Sequence, residues 1–227
     1  MRMPMINKLL VANRGEIACR VISSARDRGC RTVAVYSEAD ADALHVRMAD
    51  EAVLIGPGPV GQSYLVIEKL IDAARRTGAD AIHPGYGFLS ERATFAEACA
   101  EAGIIFVGPD PDAIRIMGDK ATSKRRMIEA GVPCVPGYEG DDQAEAVFVA
   151  EAERIGYPVM VKASAGGGGR GMRLVDQPAA LPAALRTARS EAENAFGDGT
   201  LLLERAIIEP RHVEIQVLGD SHGNVVH

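Results

Sequence analysis

Apolar positions in the first half of the chain follow two alternating rhythms. Short apolar runs at residues 8–12, 32–36, 51–55, 79–83 and 104–107 predict strands, with β-branched residues most evident at 32–36. Between them, residues 15–28 bring Ile17, Val21 and Ile22 onto one helical face, and residues 64–77 and 91–101 predict two further helices. Strands separated by helices of this length imply parallel pairing with right-handed crossovers. Residues 1–117 therefore predict a doubly wound α/β domain of the Rossmann type.

Turn-forming residues then interrupt the rhythm. Gly108-Pro109-Asp110-Pro111-Asp112 reads as a break and Gly118-Asp119 as a second one. Beyond them the pattern changes to an α+β unit over residues 118–227. A helix at 120–130 is stopped by Gly131 and Pro133. A helix at 142–155 opens on Asp142-x-x-Glu145, which resembles a capping box, and carries Phe148, Ala152 and Ile155 as its apolar stripe. Strands at 158–162 and 172–175 flank a glycine run, and a helix follows at 181–193. Strands at 200–204 and 213–218 complete the reading; in the second, Val213, Ile215 and Val217 alternate with Glu214 and Gln216. Residues 219–224 predict a hairpin turn and Val225-Val226-His227 a returning strand. That strand is shorter than the usual five to six residues, so the expectation is a chain that stops inside a domain, with a short natural terminus as the alternative.

Composition narrows the function classes. The 227 residues are 47% hydrophobic and 25% charged, as in an ordinary globular protein. A net charge of −6 lacks the basic footprint of a nucleic-acid binder, and the 4% aromatic content with no tryptophan offers little for base stacking. No apolar run approaches a membrane span, and residues 1–8 show no secretory signal pattern. Cys19, Cys30, Cys99 and Cys134 form no C-x-x-C pair, which suits a reduced, cytoplasmic setting, and the histidines show no metal-binding spacing.

The densest chemical signal is Lys162-Ala163-Ser164-Ala165-Gly166-Gly167-Gly168-Gly169-Arg170-Gly171-Met172, with five glycines in six positions. Glycine is costly to order and packs nothing, so such a run suits a backbone that approaches a phosphate closely through its N–H groups. Gly166, Gly168 and Gly171 formally match G-x-G-x-x-G, but the run leads into a strand, which argues against a dinucleotide fingerprint. No Gly-Lys-Ser/Thr closes it as a P-loop. A glycine-rich hairpin over phosphates fits better, and a plain surface hairpin is the alternative. Lys162, at the end of a buried strand pattern, suits an anion partner or snorkels to solvent. Lys120 follows Asp119, the expected N-cap, and suits an anion at that helix start or pairs locally. The basic run Lys124, Arg125 and Arg126 reads as a solvated helix face with no role. His83-Pro84-Gly85-Tyr86-Gly87-Phe88 lies at the carboxyl end of a strand and is either a cleft wall or a tight turn. Asn13-Arg14-Gly15-Glu16 reads as a structural turn, and His212 alone reads as structural.

In this order the segments resemble the biotin carboxylase family of the ATP-grasp superfamily, over essentially the whole chain. The resemblance is carried by Lys8-Leu9-Leu10-Val11-Ala12-Asn13-Arg14-Gly15-Glu16-Ile17-Ala18, by His83 through Glu91, by Met117-Gly118-Asp119-Lys120, by the glycine run and by Glu209-Pro210-Arg211-His212-Val213-Glu214-Ile215-Gln216-Val217. It implies an N-terminal biotin carboxylation (pre-ATP-grasp) domain at 1–117 and the start of an ATP-grasp domain at 118–227, with a glycine-loop subdomain at about 132–205. It implies ATP- and Mg2+-dependent activation of bicarbonate as carboxyphosphate, and carboxylation of biotin on a carrier protein. This would be the first half-reaction of an acyl-CoA carboxylase. Implied partners are a biotin carboxyl carrier protein or domain, a carboxyltransferase subunit and a second copy of the chain in a homodimer.

By the same resemblance Lys120 and Lys162 face the phosphates and Gly168 and Gly169 cover them. Met172, Glu204, Arg205 and Ile207 line the adenine pocket, and His212 contacts the nucleotide. Ala165 stands where many members have glycine, and Arg205 where lysine is common. By the resemblance, the family's metal-binding glutamates, bicarbonate-binding basic residues and biotin-site arginine would lie beyond His227, so it implies no catalytic or metal residue within these residues and little activity for the 227 residues alone. Another ATP-grasp ligase, of the carbamoyl-phosphate or purine-pathway type, and a non-catalytic nucleotide-binding module are the competing readings.

Overall fold

The structure, a computed structural model, describes residues 5–165, 171–220 and 222–227. The chain divides into two compact units, Met1–Ser123 and Lys124–His227.

The first unit is built on five parallel strands: β1 (Lys8–Val11), β2 (Arg31–Ser37), β3 (Glu51–Gly56), β4 (Ala81–His83) and β5 (Ile105–Phe106). Their order is β3-β2-β1-β4-β5, with Leu10 in register with Val33 on one side and Ile82 on the other. Helices α1 (Gly15–Asp27), α2 (Leu44–Met48), α3 (Ile67–Thr77), α4 (Ala93–Glu101) and α5 (Pro111–Gly118) connect or follow them, and α6 (Lys120–Glu129) runs across the boundary between the units.

Strand alternation sorts the side chains into two cores. Leu9, Val11, Ala34 and Ala81 pack with Ala18, Val21, Ile22 and Ala25 of α1. Leu10, Val33, Val35 and Ile82 pack with Leu70 and Ala74 of α3 and Phe95 and Cys99 of α4. A sheet buried on both faces in this way is the doubly wound α/β arrangement that the apolar runs predict.

The carboxyl edge of this sheet is tied together by polar side chains. Asn13, after β1, donates from Nδ2 to the carbonyls of Pro84 (2.9 Å) and Tyr86 (2.8 Å), after β4. A Cβ at Gly85 (φ +68°) would lie 2.7 Å from that nitrogen, so the close approach requires glycine. Beside it, the Tyr64 hydroxyl donates to Asp40 Oδ2 (2.7 Å) and accepts from the Ser37 N–H (3.1 Å). Arg14 donates to the same Asp40 oxygen (3.1 Å) and lies over the Tyr64 and Phe88 rings, which stack on each other. Burial pushes the Asp40 carboxyl up, but the hydrogen bonds from Tyr64, Ser37 and Arg14 outweigh it and hold the group below its ordinary 3.8.

Asp40 thus stabilises the fold fully above pH 3.8, and that stabilisation is lost as pH falls through the lower folded value. Tyr64→Phe strips Asp40 of a donor and the Ser37 N–H of its acceptor. It is expected to cost about 1–3 kcal/mol by urea denaturation at pH 7. The difference from wild type is expected to shrink below pH 3.8.

The second unit holds a four-stranded antiparallel sheet of β6 (Gly137–Tyr138), β7 (Val159–Ala163), β8 (Met172–Val175) and β9 (Leu201–Arg205), in the order β6-β9-β7-β8. Helices α7 (Glu145–Ile155) and α8 (Leu181–Phe196) cover one face, where Phe148, Ile155, Val159, Val161, Leu185 and Leu203 form the core. A separate hairpin pairs β10 (Leu218–Gly219) with β11 (Val225–Val226). No helix among the described residues is long and apolar enough to cross a membrane.

Helix α7 starts at Glu145 with Ala144 as its N-cap and no side-chain cap, so the capping box expected at Asp142 is not made, and two larger departures from the sequence expectation follow. The supposed break at 108–112 opens a helix instead: Asp110 caps α5 by accepting from the Ala113 N–H (2.8 Å), with Pro111 at the first helical position. The strand predicted at 213–218 contributes only Leu218 to a pairing, with Val226. Val213, Ile215 and Val217 are exposed, and among the described residues no strand lies beside 213–217. Alternation specifies a strand only where a neighbour completes its backbone hydrogen bonds.

Candidate functional site

The second sheet has one packed face and one open face, and strand alternation decides what each carries. In β7, Val159, Val161 and Ala163 turn toward the helices and are buried, which sends Met160 and Lys162 to the other side. In β8, Met172 stands opposite Lys162 and Leu174 opposite Met160, and both are exposed. In β9, Glu204 stands opposite Met160. Met160, Lys162, Met172, Leu174 and Glu204 therefore share one face: apolar surface around an ion pair.

That ion pair is part of a larger cluster. Lys162 Nζ donates to Glu204 Oε2 in a short contact. Lys124, at the first turns of α6, donates to Glu204 Oε1 at 3.2 Å and lies 3.6 Å from Glu139 Oε2. Burial pushes the Glu204 carboxyl up, but the Lys162 hydrogen bond and charge, with the Lys124 charge behind them, outweigh it and hold the group below its ordinary 4.5. Lys124 is only 9% exposed, so it is no solvated helix residue as the sequence suggested. The basic run gave no sign of this, because its partner lies eighty positions along the chain.

The glycine run joins β7 to β8. Gly168 and Gly169 lie outside the described residues. At the described ends of the run, the Ala163 N–H donates to the Gly171 carbonyl (3.1 Å), and a Cβ at Gly171 (φ +70°) would sit 3.0 Å from that of Ala163. The two strands thus stay together up to the point where the glycines begin.

The remaining candidates fall in different places. Arg205 points to the opposite face from Glu204 by alternation and has its guanidinium near Gly156, so only its backbone borders the open face. The chain leaves the sheet at Ala206, whose N–H donates to the Pro158 carbonyl (2.9 Å), and Ile207 follows half exposed. His212 lies outside helix and strand, exposed, with Nε2 3.1 Å from Glu214 Oε1. Among the described residues no hydrogen bond or ion pair joins it to Lys162 or Glu204.

Lys120 opens α6 within the first unit, behind Asp119, whose Oδ1 accepts from the Thr122 N–H at 2.7 Å as an N-cap does. In the turn after β4, His83 Nδ1 accepts from the Gly85 N–H (3.0 Å), and burial pushes its pKa down. Among the described residues no group of three or more His, Cys, Asp or Glu side chains is placed to hold a metal ion.

Chemically, the open face offers a ligand an apolar platform of Met172 and Leu174. Beside it stand an ammonium that one carboxylate holds and the mouth of a glycine-rich connection. A flat heteroaromatic group joined to an anion matches both parts.

Known proteins resemble this chain over nearly all of its length. Residues 5–114 match the family described as biotin carboxylase, N-terminal domain. Residues 119–227 match the ATP binding domain of the carbamoyl-phosphate synthase L chain. The chain is 56% identical to the mitochondrial methylcrotonoyl-CoA carboxylase subunit alpha of Dictyostelium discoideum, over 98% of this chain and 32% of that one. It is 57% identical to the propionyl-CoA carboxylase alpha chain of Ruegeria pomeroyi, over 98% of this chain and 33% of that one. It thus spans about a third of the length of these curated relatives. Among solved structures, the biotin carboxylase of Campylobacter jejuni in a beta-gamma-ATP complex superposes with a TM-score of 0.95 at 49% identity, over 98% of this chain and 50% of that one. The biotin carboxylase domain dimer of the Hydrogenobacter thermophilus 2-oxoglutarate carboxylase, bound to MgADP, ADP and bicarbonate, gives 0.93 at 53% identity, over 99% and 49% of the two chains.

Proposed function

This chain belongs to the biotin carboxylase family, and on that premise we propose that its second unit binds ATP on the open face of the four-stranded sheet. The reading rests on one observation: alternation puts Lys162, Met172 and Glu204 on the face opposite α7 and α8, at the mouth of the glycine run. Lys162 would meet the phosphates, Met172 would underlie the adenine, and the strand end at Glu204, Arg205 and Ile207 would border it. Gly168 and Gly169, outside the described residues, and Lys120 and His212 enter on the resemblance alone. The domain limits 1–117 and 118–227, with a loop subdomain at about 132–205, belong to the same reading.

For the protein as a whole we infer the ATP-dependent carboxylation of biotin, the first half-reaction of an acyl-CoA carboxylase. Bicarbonate takes the γ-phosphoryl group of ATP to give carboxyphosphate and ADP. The carboxyl group then passes to a ureido nitrogen of biotin, which loses its proton, and phosphate is released. The described residues contribute binding and orientation of the nucleotide. They offer no carboxylate cluster that fits Mg2+, so no step is assigned to a metal held by them. A biotin carrier and a carboxyltransferase are the partners this chemistry needs, and the named relatives are subunits of such carboxylases. Homodimerisation follows the dimeric neighbour. A cytoplasmic location rests on the free thiols alone.

The test is ADP release by the full-length protein in the presence of ATP and Mg2+. Release that requires both bicarbonate and biotin is the expected result. Release that proceeds equally without biotin would remove the biotin carboxylase assignment and favour another ligase with this ATP-binding fold.

A further inference from the structure

The Lys162–Glu204 pair poses a physical problem for any anion that approaches it. A lysine already neutralised by a carboxylate attracts a phosphate weakly, and pulling it away strands a partly buried negative charge. Glu204 engages both of its oxygens, however: Oε2 takes Lys162 and Oε1 takes Lys124. The two lysines differ in freedom. The Lys124 side chain is 9% exposed and is bracketed by Glu204 and Glu139, whereas that of Lys162 is 26% exposed and lies on the open face. Lys162 is thus the one that can leave, and Lys124 the one that stays.

Backbone geometry supports a dedicated place for the buried ammonium. Gly137, in register with Glu204 across β6 and β9, has no side chain, and a Cβ there would collide with both Lys124 Nζ and the Leu203 carbonyl oxygen. Glu139 Oε2 is buried without a hydrogen-bond partner and has the Lys124 ammonium as its ion-pair partner. The cluster is built around Lys124 from both sides.

We propose that Lys124 is a positioning residue for the nucleotide: it holds and neutralises Glu204 so that the Lys162 ammonium is free to turn to a phosphate. The inference rests on the reading that Lys162 binds the nucleotide, and its test separates the two. In the full-length protein, Lys124→Met is expected to raise the dissociation constant for ATP about tenfold while kcat at saturating ATP is retained, because a charge-assisted contact that frees Lys162 is lost. Lys124→Arg keeps the charge and is expected to restore much of the binding. In a Glu204→Gln background the same Lys124→Met change is expected to have no further effect, since there is no carboxylate left to neutralise.

An unchanged dissociation constant in Lys124→Met would overturn the proposal. So would an equal loss with and without Glu204, which would mark Lys124 as structural only. If Lys124→Met alone does not fold, the comparison of Glu204→Gln with the double variant decides: equal affinities support the proposal and a tenfold difference overturns it. Unchanged ATP affinity in Lys162→Gln would instead overturn the underlying nucleotide assignment.

Discussion

Lys162→Gln in the full-length protein is expected to weaken ATP binding about ten- to a hundredfold, the range for losing one hydrogen bond to a charged group. Glutamine keeps most of the packing of the lysine stem, ends one bond shorter and carries no charge. The fold is expected to survive, because Glu204 keeps Lys124 as a counter-ion at 3.2 Å and is not left alone in a partly buried place. Equilibrium binding of ATP by calorimetry measures the loss, and circular dichroism checks the fold. Affinity equal to wild type would take Lys162 out of the site. Carboxylation of biotin should fall in step with occupancy at low ATP and recover partly as ATP is raised, as expected when ground-state binding is what the residue provides.

The largest loss of stability is expected from Phe148→Ala. Phe148 is fully buried on α7, and its ring meets Tyr138 edge-on with centroids 5.5 Å apart. Around it are Val159 and Val161 of β7 and Leu203 of β9, the residues whose inward turn sends Lys162 and Glu204 outward. Removing a buried phenyl group costs about 3–5 kcal/mol in transfer energy and cavity together. The variant should show a urea midpoint lowered accordingly, and ATP binding should fall with it, because the open face is the reverse side of this core. A loss below 1 kcal/mol would mean that the helices collapse readily onto the sheet.

Legibility in the sequence followed how local each determinant is. The five parallel strands and α1 were readable because Leu9, Leu10 and Val11, or Ile17, Val21 and Ile22, declare their periods within a few residues. Helix α5 was also readable in principle: Asp110-Pro111 is a cap followed by a proline at the first helical position, but the Gly108-Pro109 turn signal just before it hid it. Helix α3 begins at Ile67, three residues after the expected start, because Tyr64 is drawn into the Asp40 network instead. The short strand β6 has two residues and no pattern of its own; it exists because β9 offers an edge.

The alternation at 213–217 erred in the opposite direction, promising a strand where nothing among the described residues pairs with it. The candidate site divides in the same way. Lys162 announced itself through the glycines beside it, whereas Lys124 was indistinguishable from Arg125 and Arg126 until the fold brought Glu204 to it.

The sheet order β6-β9-β7-β8 sets a timetable for the chain as it leaves the ribosome. Lys162 emerges forty-two residues before its partner carboxylate and Lys124 eighty before, and β9 must add to the edge of β7 before β6 can pair with it. Until it does, two ammonium groups stand without their shared counter-charge, and the proposed nucleotide face is not assembled. Ligand rescue of a slow-folding variant should therefore act after translation of this segment is complete, not during it.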